Sequence, residues 1–390
     1  MSLRSRVSLS TKATDNSITS LSYLPYHTRN SITSLSYSPY GAHIVSGCWH
    51  KTIRIWDSLT GEPVGEPLQG HDGTVTSVTY SPDGAYIVSG SWDSTIRIWD
   101  AHTRQKVKQP LQGHTGKVNS VAYSPDNTHI ISGSDDKTIR IWDTHTCWQV
   151  GQPLQGHTHY VMSVAYSPNG AYIVSGSRDT TIRIWDAHTR QQVGQPLRGS
   201  GGAVFSVAYS PDGAYIASGS GDNTIRIWDV RTRQQVGQPL RGHTNSVNSV
   251  AYSPDGAYII SGSDDETIRI WDVHTGRPVG QPVHAHTSSV RAVAYSPDGA
   301  YIVSGSDDDT IHIRNAHATL QQMEQPLQGH TRCINSVAYS PVGAYIISSS
   351  DDGTLCTVSK THSGSGVSGF GGLDPALRGS PGRLGALRST

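Results

Sequence analysis

A histidine, a serine and an aspartate recur together along this 390-residue chain. They stand as His71, Ser89 and Asp93, as His114, Ser132 and Asp136, as His157, Ser175 and Asp179, and as His243, Ser261 and Asp265. These are the residue types of a nucleophile, its general base and an orienting carboxylate, the set that transfers acyl groups. A tryptophan closes each set at a fixed distance, as Trp99, Trp142, Trp185 and Trp271. The repetition argues against catalysis. Four identical active sites in one molecule are implausible, and nothing in the sequence supplies a separate oxyanion site or substrate cleft beside any of them. A shared structural role fits better, and the chain reads as no enzyme.

Other chemistries fare no better. Arginines at 54, 97, 140, 183, 226 and 269 suggest a basic ring for nucleic acid, but they recur at one position beside acidic turn residues, which favours a structural role. Lys plus Arg equals Asp plus Glu at 30 each, so no overall field draws the molecule to nucleic acid or an anionic membrane. The histidines outside the sets, such as His102, His145, His188 and His274, follow the same period and do not pair at metal-ligand spacing, so neither a metal nor a cofactor is expected. Cys48, Cys147, Cys333 and Cys356 are irregularly spaced, as in a protein of a reducing compartment. The polar N-terminus lacks an apolar signal core and no stretch reaches transmembrane length, so a cytoplasmic location is expected, the nucleus being the alternative.

The elements that position these residues follow from one period. Ile-Trp-Asp places tryptophans at 56, 99, 142, 185, 228 and 271, each 43 residues after the last, and the next steps reach Arg314 and, after a one-residue insertion, Val358. That makes eight units. Within a unit, Val247 to Pro254 alternates apolar and polar residues as a half-buried strand should. Asp255-Gly256 turns the chain, a second strand runs from Ala257 to Ser261, a third from Thr267 to Trp271, and a weaker fourth, in the preceding cycle, from Gln235 to Leu240. Four-stranded antiparallel sheets that cannot bury both faces alone must stack, and closing the stack into a ring protects its ends. The expected fold is all-β, a propeller of eight four-stranded blades, or seven with one irregular terminal unit.

The run of Gly-His, Ser-Pro-Asp-Gly, Ser-Gly-Ser-x-Asp and Ile-Trp-Asp signals resembles the WD40 family over about residues 32 to 358. The wording of the repeats is similar to that of fungal NACHT–WD40 proteins of the vegetative-incompatibility group. The nucleotide-binding GxxxxGK[ST] of those proteins does not occur here, so nucleotide-driven switching is not carried over. The WD40 resemblance implies a network in each unit: the indole N–H gives its proton to the serine hydroxyl, the hydroxyl bonds the imidazole, and the aspartate fixes the other ring nitrogen. Ser200, Arg314 and Val358 break this set, so units five, seven and eight are expected to be softer.

The resemblance also implies that two variable positions lie on the narrow face around the central channel. They collect Trp49, Trp92, Lys117, Tyr160, Met162, Arg178 and Phe205 on units one to five, and Arg291 among acidic residues further on. Aromatic and cationic residues so gathered suit a protein-binding hot spot. The expected function is a non-catalytic scaffold for a peptide or protein loop. The alternatives are a substrate receptor in a ubiquitin-ligase assembly and a stand-alone sensor ring akin to the NACHT–WD40 receptors.

At the ends, residues 16 to 26 match residues 30 to 40 at ten of eleven positions. The strand Ile18 to Tyr23 is expected to complete the last blade, with residues 1–15 disordered, the propeller spanning 16–358, and a Gly/Ser-rich disordered tail over 359–390.

Overall fold

In a computed structural model, residues 32–58, 63–316 and 330–359 are described. They form eight antiparallel sheets, one per sequence unit, each with its strands in sequential order. The inner strands are Ile32–Tyr37, Val75–Tyr80, Val118–Tyr123, Val161–Tyr166, Val204–Tyr209, Val247–Tyr252, Val290–Tyr295 and Ile334–Tyr339. Each packs against the next, and Ile334–Tyr339 packs back on Ile32–Tyr37, so the sheets close into a ring. The expected closing strand Ile18 to Tyr23 and the two expected disordered ends lie outside the described residues, apart from Ser359, which ends the strand Leu355–Ser359.

The inner strands correct the half-buried expectation, because all six residues of Val247–Tyr252 are buried, Asn248 and Ser249 included. Sheets stand on both sides of an inner strand, so its polar side chains must be satisfied in the interior. Ser249 Oγ accepts the Val293 amide of the next unit at 3.3 Å, and Asn248 Nδ2 donates to the Val290 carbonyl at 3.0 Å. The same link joins the ring ends, where Asn335 Nδ2 donates to the Ile32 carbonyl at 2.8 Å.

Fourth strands are shorter than expected. Among the described residues only Gln235–Arg241 is extended, while Leu68–Gln69, Leu197–Arg198 and Val283–His284 span two residues, and units two and three keep isolated bridges such as Ile139↔Leu154. Proline donates no ladder bond, and even Gln235–Arg241, which contains Gly237-Gln238-Pro239, pairs with a register shift between Ile225 and Ile227.

The core lies between sheets rather than within them. Ile131, Ile139, Ile141 and Leu154 of unit three pack with Val161, Val164, Ile173 and Trp185 of unit four. Gly133 permits this approach, for a Cβ there would stand 2.7 Å from Val161 Cγ1. At the seam, Leu35, Tyr37 and Ile44 share a core with Ile334, Val337 and Ile346, and Trp56 is only partly buried against it.

Candidate functional site

The repeated sets form the expected network. In unit three, Trp142 Nε1 donates to Ser132 Oγ at 2.9 Å, Ser132 Oγ meets His114 Nε2 at 2.7 Å, and His114 Nδ1 meets Asp136 Oδ2 at 2.7 Å. The sets built on Trp99, Trp185 and Trp271 repeat it within 0.1 Å or so of the same values. Each serine hydroxyl is fully buried behind its indole, so no substrate reaches the nucleophile. Threonine is the member that sequence reasoning missed: Thr138 Oγ1 donates to Asp136 Oδ1 at 2.7 Å, and the aspartate also accepts the amides of Thr115 and Thr138. Its signal was a threonine two places after every network aspartate.

The electrostatics follow from this. Burial works to raise the Asp136 carboxyl, but the bonds from His114 and Thr138 hold it well below the usual carboxylate range. Burial pushes the His114 imidazole down despite Asp136. The pair is therefore a neutral imidazole donating Nδ1–H to an ionised carboxylate.

Unit five, which has Ser200 in place of histidine, fills the gap differently. Arg226 is buried, and its Nη1 donates to Asp222 Oδ2 at 2.8 Å and to Thr224 Oγ1 at 2.7 Å. In units three and four the corresponding arginine takes a glutamine partner, Arg140 with Gln149 and Arg183 with Gln192. Arg226→Gln should therefore cost about 1–2 kcal/mol, because the half-buried Asp222 carboxylate loses its cation, whereas Arg97→Gln should stay within about 0.5 kcal/mol. Urea unfolding of the two variants checks this, and equal losses would refute the substitution of roles. In unit seven, Arg314 is buried and the His312 ring stands 4.5 Å from that of His286.

The two variable positions prove to be one site per unit. A backbone bond joins them, from Trp92 N to the Thr74 carbonyl, Asp135 N to Lys117, Arg178 N to Tyr160 and Gly221 N to Ala203, at 2.8–2.9 Å. Trp49 and Trp92 meet edge to face at 6.2 Å, and Lys117 Nζ lies 3.8 Å above the Trp92 ring. Arg178 Cζ lies 5.9 Å from the Tyr160 ring, which also stacks edge-on with His159 at 4.4 Å. Between the cations, burial pushes the Asp135 carboxyl up against the opposing influence of Asn119, Lys117 and Arg178. Phe205 is half-buried beside Gly221, whose missing Cβ would stand 3.2 Å from Phe205 Cε2.

Two expected binding residues are placed otherwise. Met162 is fully buried, where a partner cannot reach it, although Phe205 at the same strand position in the next unit is only half-buried. Arg291 donates through Nε to Asp307 at 2.9 Å and through Nη1 to Asp264 at 3.1 Å, with Nη2 also on Asp307. Burial works against its charge, but Asp307 and Asp264 raise it further, so this guanidinium ties units six and seven together.

Comparisons with known proteins agree with the ring. The WD domain, G-beta repeat model matches residues 12–57, 61–100, 276–315 and 321–357. The model of the echinoderm microtubule-associated protein second beta-propeller matches residues 118–287. No curated protein matches the chain. The crystal structure of the computationally designed Ika8 protein is similar at a TM-score of 0.72 and 28% identity, over 85% of this chain and 96% of that one. WD40 propellers are in general protein-interaction scaffolds without catalysis. Repeated sheets, repeated networks and both family models lead to one statement: this chain contains WD40 repeats and folds as an all-β propeller.

Proposed function

We propose that the chain is a non-catalytic scaffold that holds a peptide or protein loop across the rim where its inner strands begin. The observation that carries this is the arc of contacts running from Trp49 to Trp92 to Lys117, then Arg178 to Tyr160, at positions free of the repeat's folding requirement. Rigid aromatics with nearby cations lose little entropy on binding and supply large contact areas. Other proteins or peptides are the partners, met in a cytoplasmic setting.

Alanine at both Tyr160 and Phe205 should remove the partner. Each anchor is expected to contribute about 2 kcal/mol or more, roughly thirtyfold in Kd. Quantitative affinity purification beside the double variant, with thermal unfolding recorded for both chains, gives the test. Proteins captured by the parent and lost by an equally stable variant support the reading; an unchanged set overturns it.

A further inference from the structure

The rim that carries the aromatic arc is also divided by charge. The backbone bond that joins the two variable positions continues in units six to eight, from the amides of Asp264, Asp307 and Asp351 to the carbonyls of Ser246, Ser289 and Cys333 at 2.9–3.0 Å, so these carboxylates occupy the places that Trp92, Asp135 and Arg178 hold in units two to four. On this rim units three and four set Lys117 and Arg178 against one carboxylate, Asp135, while units six to eight set three carboxylates against one guanidinium, that of Arg291. Units two and five bring no charge to it, with Thr74, Trp92, Ala203, Phe205 and Gly221 there. The sheets follow one another in chain order and the eighth packs on the first. Units seven and eight therefore stand across the ring from units three and four.

Both groups of charges are held in place before any partner arrives. Asn248 Nδ2 donates to Asp264 Oδ1 at 2.7 Å, Asn335 Nδ2 donates to Asp351 Oδ1 at 2.6 Å, and Arg291 ties Asp307 to Asp264. The two asparagines are buried in the inner strands, so they fix carboxylates that themselves remain half-buried and open to the rim. Across the ring, the Trp92 and Tyr160 rings position Lys117 and Arg178. Charges ordered in advance lose little entropy on binding. Potentials of opposite sign on the two sides also fix which way round a charged partner lies. A wholly acidic or wholly basic segment is repelled at one side or the other, which is discrimination by unfavourable contact.

We propose that the rim selects a peptide or loop of mixed charge and sets its direction. The segment carries an acidic side chain that lies over Lys117 and Arg178, an apolar side chain against Tyr160 and Phe205, and a basic side chain over Asp307 and Asp351. This rests on the scaffold function proposed above and adds the chemistry and the orientation of the ligand.

The full-length chain is used to select from a random linear peptide library displayed on phage. The selected sequences are then titrated, as fluorescent synthetic peptides, against the parent and against variants whose thermal unfolding is recorded. They should carry one acidic and one basic residue in a constant order around an apolar one. Arg178→Glu should weaken them about tenfold, and a lysine in place of the peptide's acidic residue should recover most of that loss, whereas reversing its basic residue should not. Asp351→Lys should act likewise at the other end, recovered only by reversing the basic residue. If either reversal unfolds the ring, Lys117→Glu and Asp351→Asn read the same two ends. Peptides that are lost on the Tyr160→Ala, Phe205→Ala double variant but lack the paired charges, or that are recovered by reversal at the wrong end, overturn the mixed-charge ligand and leave the scaffold function standing. Peptides that bind the double variant as tightly as the parent, or a library that enriches nothing, overturn both.

Discussion

Trp142→Ala is expected to lower stability by about 3–5 kcal/mol, the largest effect of any single substitution in a network. Trp142 is 1% exposed and belongs to the core between units two and three. Its removal opens a cavity that rigid neighbouring sheets do not collapse around, and it leaves the Ser132 oxygen without its donor. Trp56→Ala should cost visibly less, because Trp56 is only partly buried, although its indole keeps the same bond, to Ser46 Oγ at 2.8 Å. Urea unfolding followed by circular dichroism distinguishes the two, and a Trp56 loss equal to that of Trp142 would refute this ranking.

Acid should unfold the ring in two stages. His114, His157 and His243 have imidazoles pushed below their ordinary value of 6.5 by burial. A depressed group stabilises the fold above its unfolded pKa, so this contribution begins to fade as pH falls through about 6.5. Burial works to raise the carboxyls of Asp93, Asp136, Asp179, Asp265, Asp308 and Asp352, yet histidine and threonine hold each well below the ordinary 3.8. Their contribution is full above that value and is lost as pH falls below it. Both kinds of group lose their contribution in the same direction as pH falls, and every network unit carries at least one of them, so acid weakens the whole ring together. His330 has the opposite sign, stabilising below 6.5 and losing its contribution as pH rises toward 9. Tm should therefore decline from pH 7 to 5 and collapse below 4; a Tm that holds level or rises between 6.5 and 5 would sink this account.

The fold was legible because a 43-residue period repeats every structural instruction. The network was legible too, since its four residue types recur in step, but its sharing with threonine was hidden by how ordinary a threonine looks in a strand. Alternation misled at the inner strands, where Ser249 and Asn248 are polar yet buried, because the sequence shows one strand and not the neighbouring unit that bonds it. Met162 failed for the same reason. Trp92 and Lys117 differ from their counterparts in other units, which drew attention to them, yet their stacking depends on a distance across two units that no local pattern encodes. Arg226 was unreadable in its role, since an arginine at that position looks the same whether it faces a glutamine or takes a histidine's place.

The bond from Asn335 to the Ile32 carbonyl joins residues 303 apart, whereas the like bonds elsewhere span 42. A ribosome delivers those nearest-neighbour links one after another, so most of the molecule can assemble as it emerges. The final link waits until unit eight has been made. Until then Leu35 and Ile44 at one end, and the Ala292 and Val303 side at the other, lie open to whatever they meet. Synthesis of this protein thus has a vulnerable interval whose length is set by translation speed, and premature termination within unit eight releases a chain with two adhesive ends rather than a slightly smaller ring.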